Sequence, residues 1–250
     1  MQVSHAIFGL NPMWLSGIIL VIVYIVLIME KLNRAVTALL GAMLMIYCGL
    51  LNQHQALEKV DFNTLWLLTG MMMLVNITAK TGVFQYVAIR SAKWVRADPV
   101  GIMLMLAGIT SLFSALLDNV TTVLLITPVT LLITEQLKVR AFPYLFATIL
   151  ASNIGGTATL IGDPPNIIIG SKNDLSFGEF IYHMTPIALI IMLAICAVLW
   201  LIHRRSLKTT LRARAAIMRF NEKDAITDVR LLKKCAFVFA LVPVSYTHLR

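Results

Sequence analysis

Charged residues are scarce in this chain. They make up 13% of its 250 residues, while hydrophobic residues reach 59%. Soluble domains carry about 25% charged residues. A core of this size cannot hide so many apolar side chains, and they come in runs of the length that a helix needs to cross a bilayer. The composition excludes an ordinary soluble domain and predicts an all-α polytopic membrane protein whose main partner is the lipid bilayer.

Cysteine and histidine are also few. The chain has 3 Cys and 5 His, and no pair of them has metal-ligand spacing. Cys48, Cys196 and Cys235 lie in or beside apolar runs, where a free thiol packs as a small apolar group. The sequence therefore predicts no thiolate metal site, no resident cofactor and no enzyme activity.

Positive charge is concentrated in one stretch. The net charge is +9, and ten of the 21 Lys and Arg residues lie between His203 and Lys234. Cytoplasmic loops of membrane proteins carry such an excess. With the first span running inward, 18 Lys and Arg fall inside and 2, Lys59 and Lys172, fall on outside loops. We predict a multi-pass plasma-membrane protein with a basic cytoplasmic loop and no nucleic-acid partner.

The apolar runs predict the order of the elements. We divide the chain into a membrane domain at residues 12–202, the basic loop at 203–234 and the start of a further span at 235–250. Within the membrane domain we expect spans at 13–29, 35–51 and 62–78, a surface helix at 80–98, interrupted segments at 100–134 and 142–170, a loop at 171–183 and a plain span at 184–202.

The two interrupted segments each contain an acidic residue. Of 12 Asp and Glu residues, only Asp118 and Asp163 lie within apolar segments. A charge at mid-bilayer costs at least about 2.5–3.5 kcal/mol, so such a residue usually faces a cavity or a partner. Glycines and prolines beside Asp163 weaken the helix there. Unwound backbone is tolerated at membrane depth only beside protein or a watery cavity, which predicts two discontinuous helices.

Oxygen-bearing side chains surround both acidic residues. Hydroxyl and amide oxygens suit Na⁺, an aspartate supplies charge or a proton site, and half-helix N-termini favour an anionic group. We predict one ion and substrate site formed by both segments. Its candidate residues are Ser114, Asp118, Asn119, Thr121, Thr122, Ser152, Asn153, Gly155, Gly156, Thr157, Asp163, Pro164, Pro165 and Asn166, of which Asn119, Thr121 and Asn153 are the candidate Na⁺ ligands.

These stretches resemble a known family. Residues 114–122 read Ser-Ala-Leu-Leu-Asp-Asn-Val-Thr-Thr, and residues 151–166 read Ala-Ser-Asn-Ile-Gly-Gly-Thr-Ala-Thr-Leu-Ile-Gly-Asp-Pro-Pro-Asn. Both are similar to signature stretches of the ion transporter superfamily. The most similar branch joins arsenical pump membrane proteins, one type of bacterial sodium–proton antiporter and the melanosomal P protein, with citrate transporter-like domains as more distant relatives. Residues 30–34 and 61–72 extend the resemblance over most of residues 12–205.

The resemblance implies an architecture. Residues 104–135 would form a re-entrant hairpin with residues 118–121 at its tip, and residues 142–170 the broken helix that follows. Together they would supply half of the site, and a second, inverted repeat would supply the other half. Neither motif occurs twice here, so we expect the chain to be a fragment. Residues 245–250 do not continue the apolar pattern before them, so we expect this tail to be foreign. The implied protein partners are a second copy in a homodimer and, for an arsenite pump, an ATPase subunit.

The expected function is secondary active ion transport. Arsenite efflux is slightly favoured, on resemblance alone, over Na⁺/H⁺ exchange and Na⁺-coupled citrate or dicarboxylate transport. No Cys lies in the polar clusters, which removes the obvious arsenite thiolate without excluding an oxyacid substrate. Two other classes stay open, a channel and an intramembrane aspartyl protease. The protease would need Asp118 and Asp163 to share a proton, and Pro164 disrupts the continuous helix expected there.

Overall fold

A computed structural model describes residues 11–58, 60, 62–173 and 175–248, with side chains omitted at 63, 64, 67, 171 and 242–248. Lys59, Asp61 and the side chains of the tail 245–250 therefore lie outside the described residues. The described part is all-helical, with no β-strand, which confirms the predicted fold class. Its α-helices are α1 (Pro12–Ile28), α2 (Arg34–Tyr47), α3 (Gln53–Glu58), α4 (Phe62–Ala79), α5 (Val83–Trp94), α6 (Pro99–Ser114), α7 (Asn119–Leu137), α8 (Phe142–Gly156), α9 (Pro164–Lys172), α10 (Phe177–His203), α11 (Leu211–Met218) and α12 (Val229–His248).

Several helices have the length and composition of membrane spans. In the described residues, α7 with 19 residues and α10 with 27 are each long and apolar enough to cross a bilayer. The end of α4 and the whole of α5 qualify as a third span if the pair, bent by 62°, is counted as one. Helices α1, α2 and α6 are apolar but shorter, with 17, 14 and 16 residues. The chain is a polytopic membrane protein by these criteria.

The first compact unit of the chain ends at Phe62 and contains α1, α2 and α3. The side chains of Asn11 and Asn33 cap α1 and α2 by accepting hydrogen bonds from backbone N–H groups two residues on. Such caps satisfy N–H groups that the helix itself leaves open. Helix α2 is shorter than the predicted span 35–51, because residues 48–51 turn back and the Leu50 N–H bonds the carbonyl of Met45.

The second compact unit begins at Asn63, and its core is built around α6 and α8. Ile102 and Met103 of α6 and Tyr144 of α8 are completely buried. The Tyr144 hydroxyl donates to the Pro99 carbonyl at 2.9 Å, so this large side chain enters the core without an unpaired polar atom. Helices α5, α7, α10 and α11 contribute to the same cluster.

The predicted loop at 171–183 is too long. Helix α10 already begins at Phe177, because Ser176 and Glu179 form a reciprocal capping box. The helix then continues through Pro186 to His203. The sequence contains this capping signal. Glu179, Tyr182 and His183, however, make the first two turns more polar than the rest of the span, so the apolar pattern alone placed the helix start too late.

The basic segment 203–234 is not a simple loop. It contains α11, a 3₁₀ turn at Glu222–Ala225 and the start of α12. Ile217 of α11 is completely buried in the core of the second unit, and the Thr209 hydroxyl donates to the Leu137 carbonyl at 2.6 Å. The domain boundary at 202/203 stays a prediction, and α10 and α11 lie in the same compact unit.

Residues 220–228, which we call the docking segment, contact the break between α4 and α5. Thr227 donates to the backbone there twice, from its N–H to Thr81 and from its hydroxyl to Lys80, at 3.1 and 2.5 Å. Gly82 has φ +76°, and a Cβ at this position would lie 1.7 Å from the Ala225 carbonyl oxygen. A glycine is therefore required both by the backbone conformation and by the contact.

An ionic contact adds to this docking. Glu222 bonds Lys93 and lies 3.9 Å from Arg90, both on α5. The sequence pattern predicts that α5 lies on the membrane surface, and this stays a prediction. Trp94 is 79% exposed, whereas Phe84 and Ala88 are buried. Helix α5 therefore has one exposed side and one packed side, and the docking segment covers part of it.

The Glu222 contact predicts a pH dependence. The hydrogen bond from Lys93, with help from a backbone N–H and Arg90, holds the pKa of Glu222 below its usual range. A lowered folded-state pKa stabilises docking above the ordinary glutamate pKa of about 4.3, and this contribution is lost as the pH falls through the lowered value. We expect a spin label at Lys223→Cys, in a chain without native cysteines, to become more mobile on acidification.

The matched control for this prediction is Glu222→Gln. Without a titrating carboxylate, the label is expected to be more mobile at neutral pH and to lose the acid transition. An unchanged acid transition in the glutamine variant would assign the pH dependence to another group.

Candidate functional site

The two predicted interruptions are both present. Helix α6 ends at Ser114 and α7 begins at Asn119, with a four-residue turn between them. Helix α8 ends at Gly156 and α9 begins at Pro164, so residues 157–163 form the predicted break in the second segment. Glycines before the break and prolines after it explain why the helix stops and restarts there.

Hydrogen bonds join the α6–α7 turn to the end of α8. The Ser114 hydroxyl donates to the Ser152 carbonyl at 2.6 Å, and the Ser152 hydroxyl donates to the Asn119 carbonyl at 3.2 Å. The Asn119 side-chain amide donates to Asn153 Oδ1 at 3.2 Å. Residues separated by more than thirty positions thus form one polar cluster, and Ser114 and Ser152 are buried within it.

The α8–α9 break is fixed by its own side chains. The Thr159 hydroxyl donates to the Ala115 carbonyl at 2.5 Å and accepts from the Gly162 N–H at 3.2 Å. The Asn166 side-chain amide donates to the carbonyls of Gly156 and Thr159, both at 2.9 Å. Carbonyls freed by the end of a helix need such donors when they are buried. Asn166, at 8% exposure, is therefore a structural brace of the break.

Two threonines that the sequence-based set omitted also belong to this region. Thr159 connects the break to the α6–α7 turn, and the Thr185 hydroxyl of α10 donates to the Ala158 carbonyl at 3.0 Å. Thr159 lies within the motif at residues 151–166, so the sequence could have indicated that it belongs to the site. Thr185 precedes the apolar run of a different helix, and no sequence pattern links it to residue 158.

Helices α6 and α8 cross in very close contact. A Cβ on Gly155 would lie 2.1 Å from the Ser111 carbonyl oxygen and 2.6 Å from its Cα. These are backbone atoms, which cannot move aside as a flexible side chain would. The glycine therefore sets how closely the two interrupted segments approach, and this approach allows the Ser114–Ser152 hydrogen bond.

The structure places the whole predicted set at these helix ends. Asp118 and Asp163 are both half-buried, while Asn153 and Thr157 are exposed. Asp118 caps α7, accepting from the Thr121 N–H at 2.9 Å. Ser114 is at the end of α6, residues 118–122 are at the start of α7, residues 152, 153, 155 and 156 are at the end of α8, Thr157 opens the break, and Asp163, Pro164, Pro165 and Asn166 start α9.

The start of α9 offers little to an anion. Pro164 and Pro165 have no N–H groups, and the Asn166 N–H is already bonded to the Asp163 carbonyl at 3.0 Å. Asp163 places a carboxylate at the same point. The sequence suggested that half-helix N-termini would attract an anionic group. At α9 the first-turn donors on which that attraction depends are absent or used.

Two of the three candidate Na⁺ ligands, Asn119 of α7 and Asn153 of α8, are joined by a hydrogen bond. Asn153 Oδ1 accepts from Asn119 and, as a carbonyl oxygen, keeps a second lone pair. The Thr122 hydroxyl oxygen is buried and has no hydrogen-bond partner among the described residues. A buried hydroxyl is costly without a partner, so an ion or water is its natural neighbour. No group of three or more His, Cys, Asp or Glu residues able to hold a metal occurs in the described part.

Apolar helices and two interrupted segments, joined through their polar ends, define a polytopic membrane protein with a polar cluster at the interruptions. Residues 24–249 match the family described as citrate transporter, and the chain belongs to this family. This confirms the resemblance drawn from the two motifs.

Curated relatives agree with the family assignment. The chain is 42% identical over 232 residues to a Mycobacterium leprae protein named 46 kDa membrane protein, covering 91% of this chain and 54% of that protein. It is 41% identical, with the same coverage, to a Mycobacterium tuberculosis protein named as an uncharacterized transporter. It is 39% identical over 184 residues to the human P protein, covering 70% of this chain and 22% of that protein. The chain thus spans about half the length of its mycobacterial relatives.

Proposed function

We propose that the complete protein is a secondary active ion transporter in which this chain supplies a coupling-cation site for Na⁺ or H⁺. The observation that supports the proposal is the polar cluster at the α6–α7 turn and the α8–α9 break. It includes two aspartates at interrupted helices, Asp118 and Asp163, and near them, early in α7, Thr122 has a buried hydroxyl without a hydrogen-bond partner among the described residues. Interrupted helices around a polar site are the usual construction of secondary transporters.

The charges of the cluster favour a cation. Helices α6 and α8 direct their C-terminal ends, which carry partial negative charge, toward it, and the N-terminal ends of α7 and α9 offset this charge. The two aspartates add negative charge, and no Lys or Arg belongs to the cluster. The first-turn N–H groups that could attract an anion are missing at Pro164 and Pro165. An anionic substrate would therefore depend mainly on α7 and on residues outside this chain.

The transported substrate is a finer proposal. Arsenite efflux is the hypothesis that the sequence resemblance favours, while Na⁺/H⁺ exchange uses the two aspartates most directly. Citrate or dicarboxylate uptake with Na⁺ shares the same motifs. We further propose a plasma-membrane location with the basic segment in the cytoplasm, a homodimer and, in an arsenite pump, an added ATPase subunit.

The test uses the complete gene in cells that lack arsenite and Na⁺ efflux. Arsenite resistance and Na⁺ tolerance are scored separately, and we expect at least one to be restored. Reconstituted vesicles should then show substrate movement that is driven by a Na⁺ or pH gradient and abolished when both gradients are collapsed. If the gene supported growth on citrate but restored neither arsenite resistance nor Na⁺ tolerance, the hypothesis of an inorganic-ion substrate would be wrong. Substrate flux that does not depend on the Na⁺ gradient or the pH gradient would indicate a channel.

A further inference from the structure

A polar cavity lies between the end of α10 and the start of α6, at the opposite end of α6 from the ion cluster. It has a volume of about 390 Å³, and its walls include Trp200 and Arg204 of α10, Lys208 of the following turn, Arg214 of α11 and Asp98 at the start of α6. None of these residues belongs to the predicted ion site. Three cationic side chains and one carboxylate therefore meet around a space large enough for a small polar group.

The single carboxylate of this cavity is already engaged. Asp98 Oδ1 pairs with Arg214 Nη2 at 2.9 Å, and Asp98 Oδ2 accepts from the Gly101 N–H at 3.0 Å. Arg204 and Lys208 have no acidic partner in the described part of the chain. The Arg204 guanidinium instead lies over the Trp200 ring, 4.8 Å from its centroid. The cavity thus keeps two uncompensated positive charges, one of them held in place by an aromatic ring.

The position of the cavity indicates what could bind there. Helix α10 is long and apolar enough to span a membrane, and the cavity lies at its last turn, where tryptophan and basic side chains mark the bilayer interface. Leu189 and Leu193, exposed at 58% and 69%, lie at helical spacing on the face of α10 that carries Trp200 and Arg204. A ligand with an anionic head and an apolar tail could therefore satisfy both the cavity and the helix surface.

We propose that this cavity binds the phosphate of an anionic phospholipid, whose acyl chains lie against α10. Basic pockets beside membrane-spanning helices are suited to anionic lipid head groups. The same phosphate chemistry could come from free inorganic phosphate. The exposed apolar surface that continues from the cavity favours the lipid, because free phosphate would leave that surface without a partner. This site is independent of the transported ion.

The experiment compares two double variants of the purified chain. Arg204→Gln with Lys208→Gln removes the two free charges of the cavity, and Arg205→Gln with Arg212→Gln removes two charges of the same basic segment outside it. Native mass spectrometry measures binding of phosphatidylglycerol and, as the neutral comparison, phosphatidylcholine. We expect the cavity variant to lose about fivefold in phosphatidylglycerol affinity for each charge removed, and the control variant to lose much less. Far-UV circular dichroism verifies that both variants keep their helix content.

Two results would overturn the proposal. Equal losses in the two variants would mean that phosphatidylglycerol responds only to the overall positive charge. Displacement of phosphatidylglycerol by inorganic phosphate at millimolar concentration would mean that the cavity recognises a free anion. Preferential binding of phosphatidylglycerol that survives inorganic phosphate and depends on Arg204 and Lys208 would support the lipid site.

Discussion

Asp163→Asn and Asp118→Asn, each introduced singly into the complete protein, are expected to reduce gradient-driven transport to the background of empty vesicles. An asparagine keeps the shape of the side chain, but it can neither release a proton nor balance the charge of a bound cation. Both residues are half-buried at interrupted helices. The measurement is substrate flux in reconstituted vesicles under a Na⁺ or pH gradient.

Glu135→Gln is the matched control. Glu135 is an exposed acid at the other end of α7, so the variant removes one negative charge from the same helix without touching the cluster. Full transport in both aspartate variants would contradict the proposed cation site at Asp118 and Asp163. It would not affect the family assignment, which rests on sequence similarity. Loss of a peptide-cleaving activity in Asp118→Asn, without any change in ion dependence, would instead support the intramembrane protease.

The interruption of the helices could be predicted from the sequence, because its causes are local. Gly155, Gly156, Pro164 and Pro165 change backbone preference at their own positions, and a single acid in an apolar run is visible without a structure. The contacts that join the interruptions could not be predicted in the same way. Ser114 and Ser152 are separated by 38 residues, and their hydrogen bond depends on how α6 crosses α8.

The role of Asn166 shows a related difference. The sequence placed it among the candidate ligands, because its amide stands beside Asp163. In the fold, its Nδ2 atom donates to two carbonyls of the α8–α9 break. Asn166 therefore stabilises the break through its Nδ2 atom, and only its Oδ1 atom is left to contact an ion. Pattern alone cannot separate these two uses of an amide.

The helix within the basic segment could not be predicted for a different reason. Charge dominates residues 203–234, so the pattern predicts a basic cytoplasmic loop, and this stays a prediction. Helix α11 buries only Ala213 and Ile217, and Ile217 alone joins the core cluster, so the apolar set is too small to stand out between arginines. The lipid cavity follows from the same packing, because it forms only where α11 brings Arg214 to Asp98.

Gly155→Ala is expected to destabilise the chain by at least about 3 kcal/mol, at or above the upper end of ordinary overpacking costs. The added methyl group would meet the Ser111 backbone, so α6 and α8 must separate or tilt. That movement also lengthens the Ser114–Ser152 hydrogen bond and disturbs the polar cluster. The measurement is unfolding of the purified chain in mixed micelles titrated with sodium dodecyl sulfate, followed by circular dichroism.

Gly108→Ala provides the comparison for this prediction. It adds the same methyl group to α6, at an exposed position where nothing lies within 4 Å of the new atom. Alanine favours helix over glycine by up to about 1 kcal/mol, so this variant should be unchanged or slightly more stable. If the two variants unfolded at the same detergent fraction, α6 and α8 would not be in close contact at Gly155. The polar cluster that joins the two segments depends on this contact.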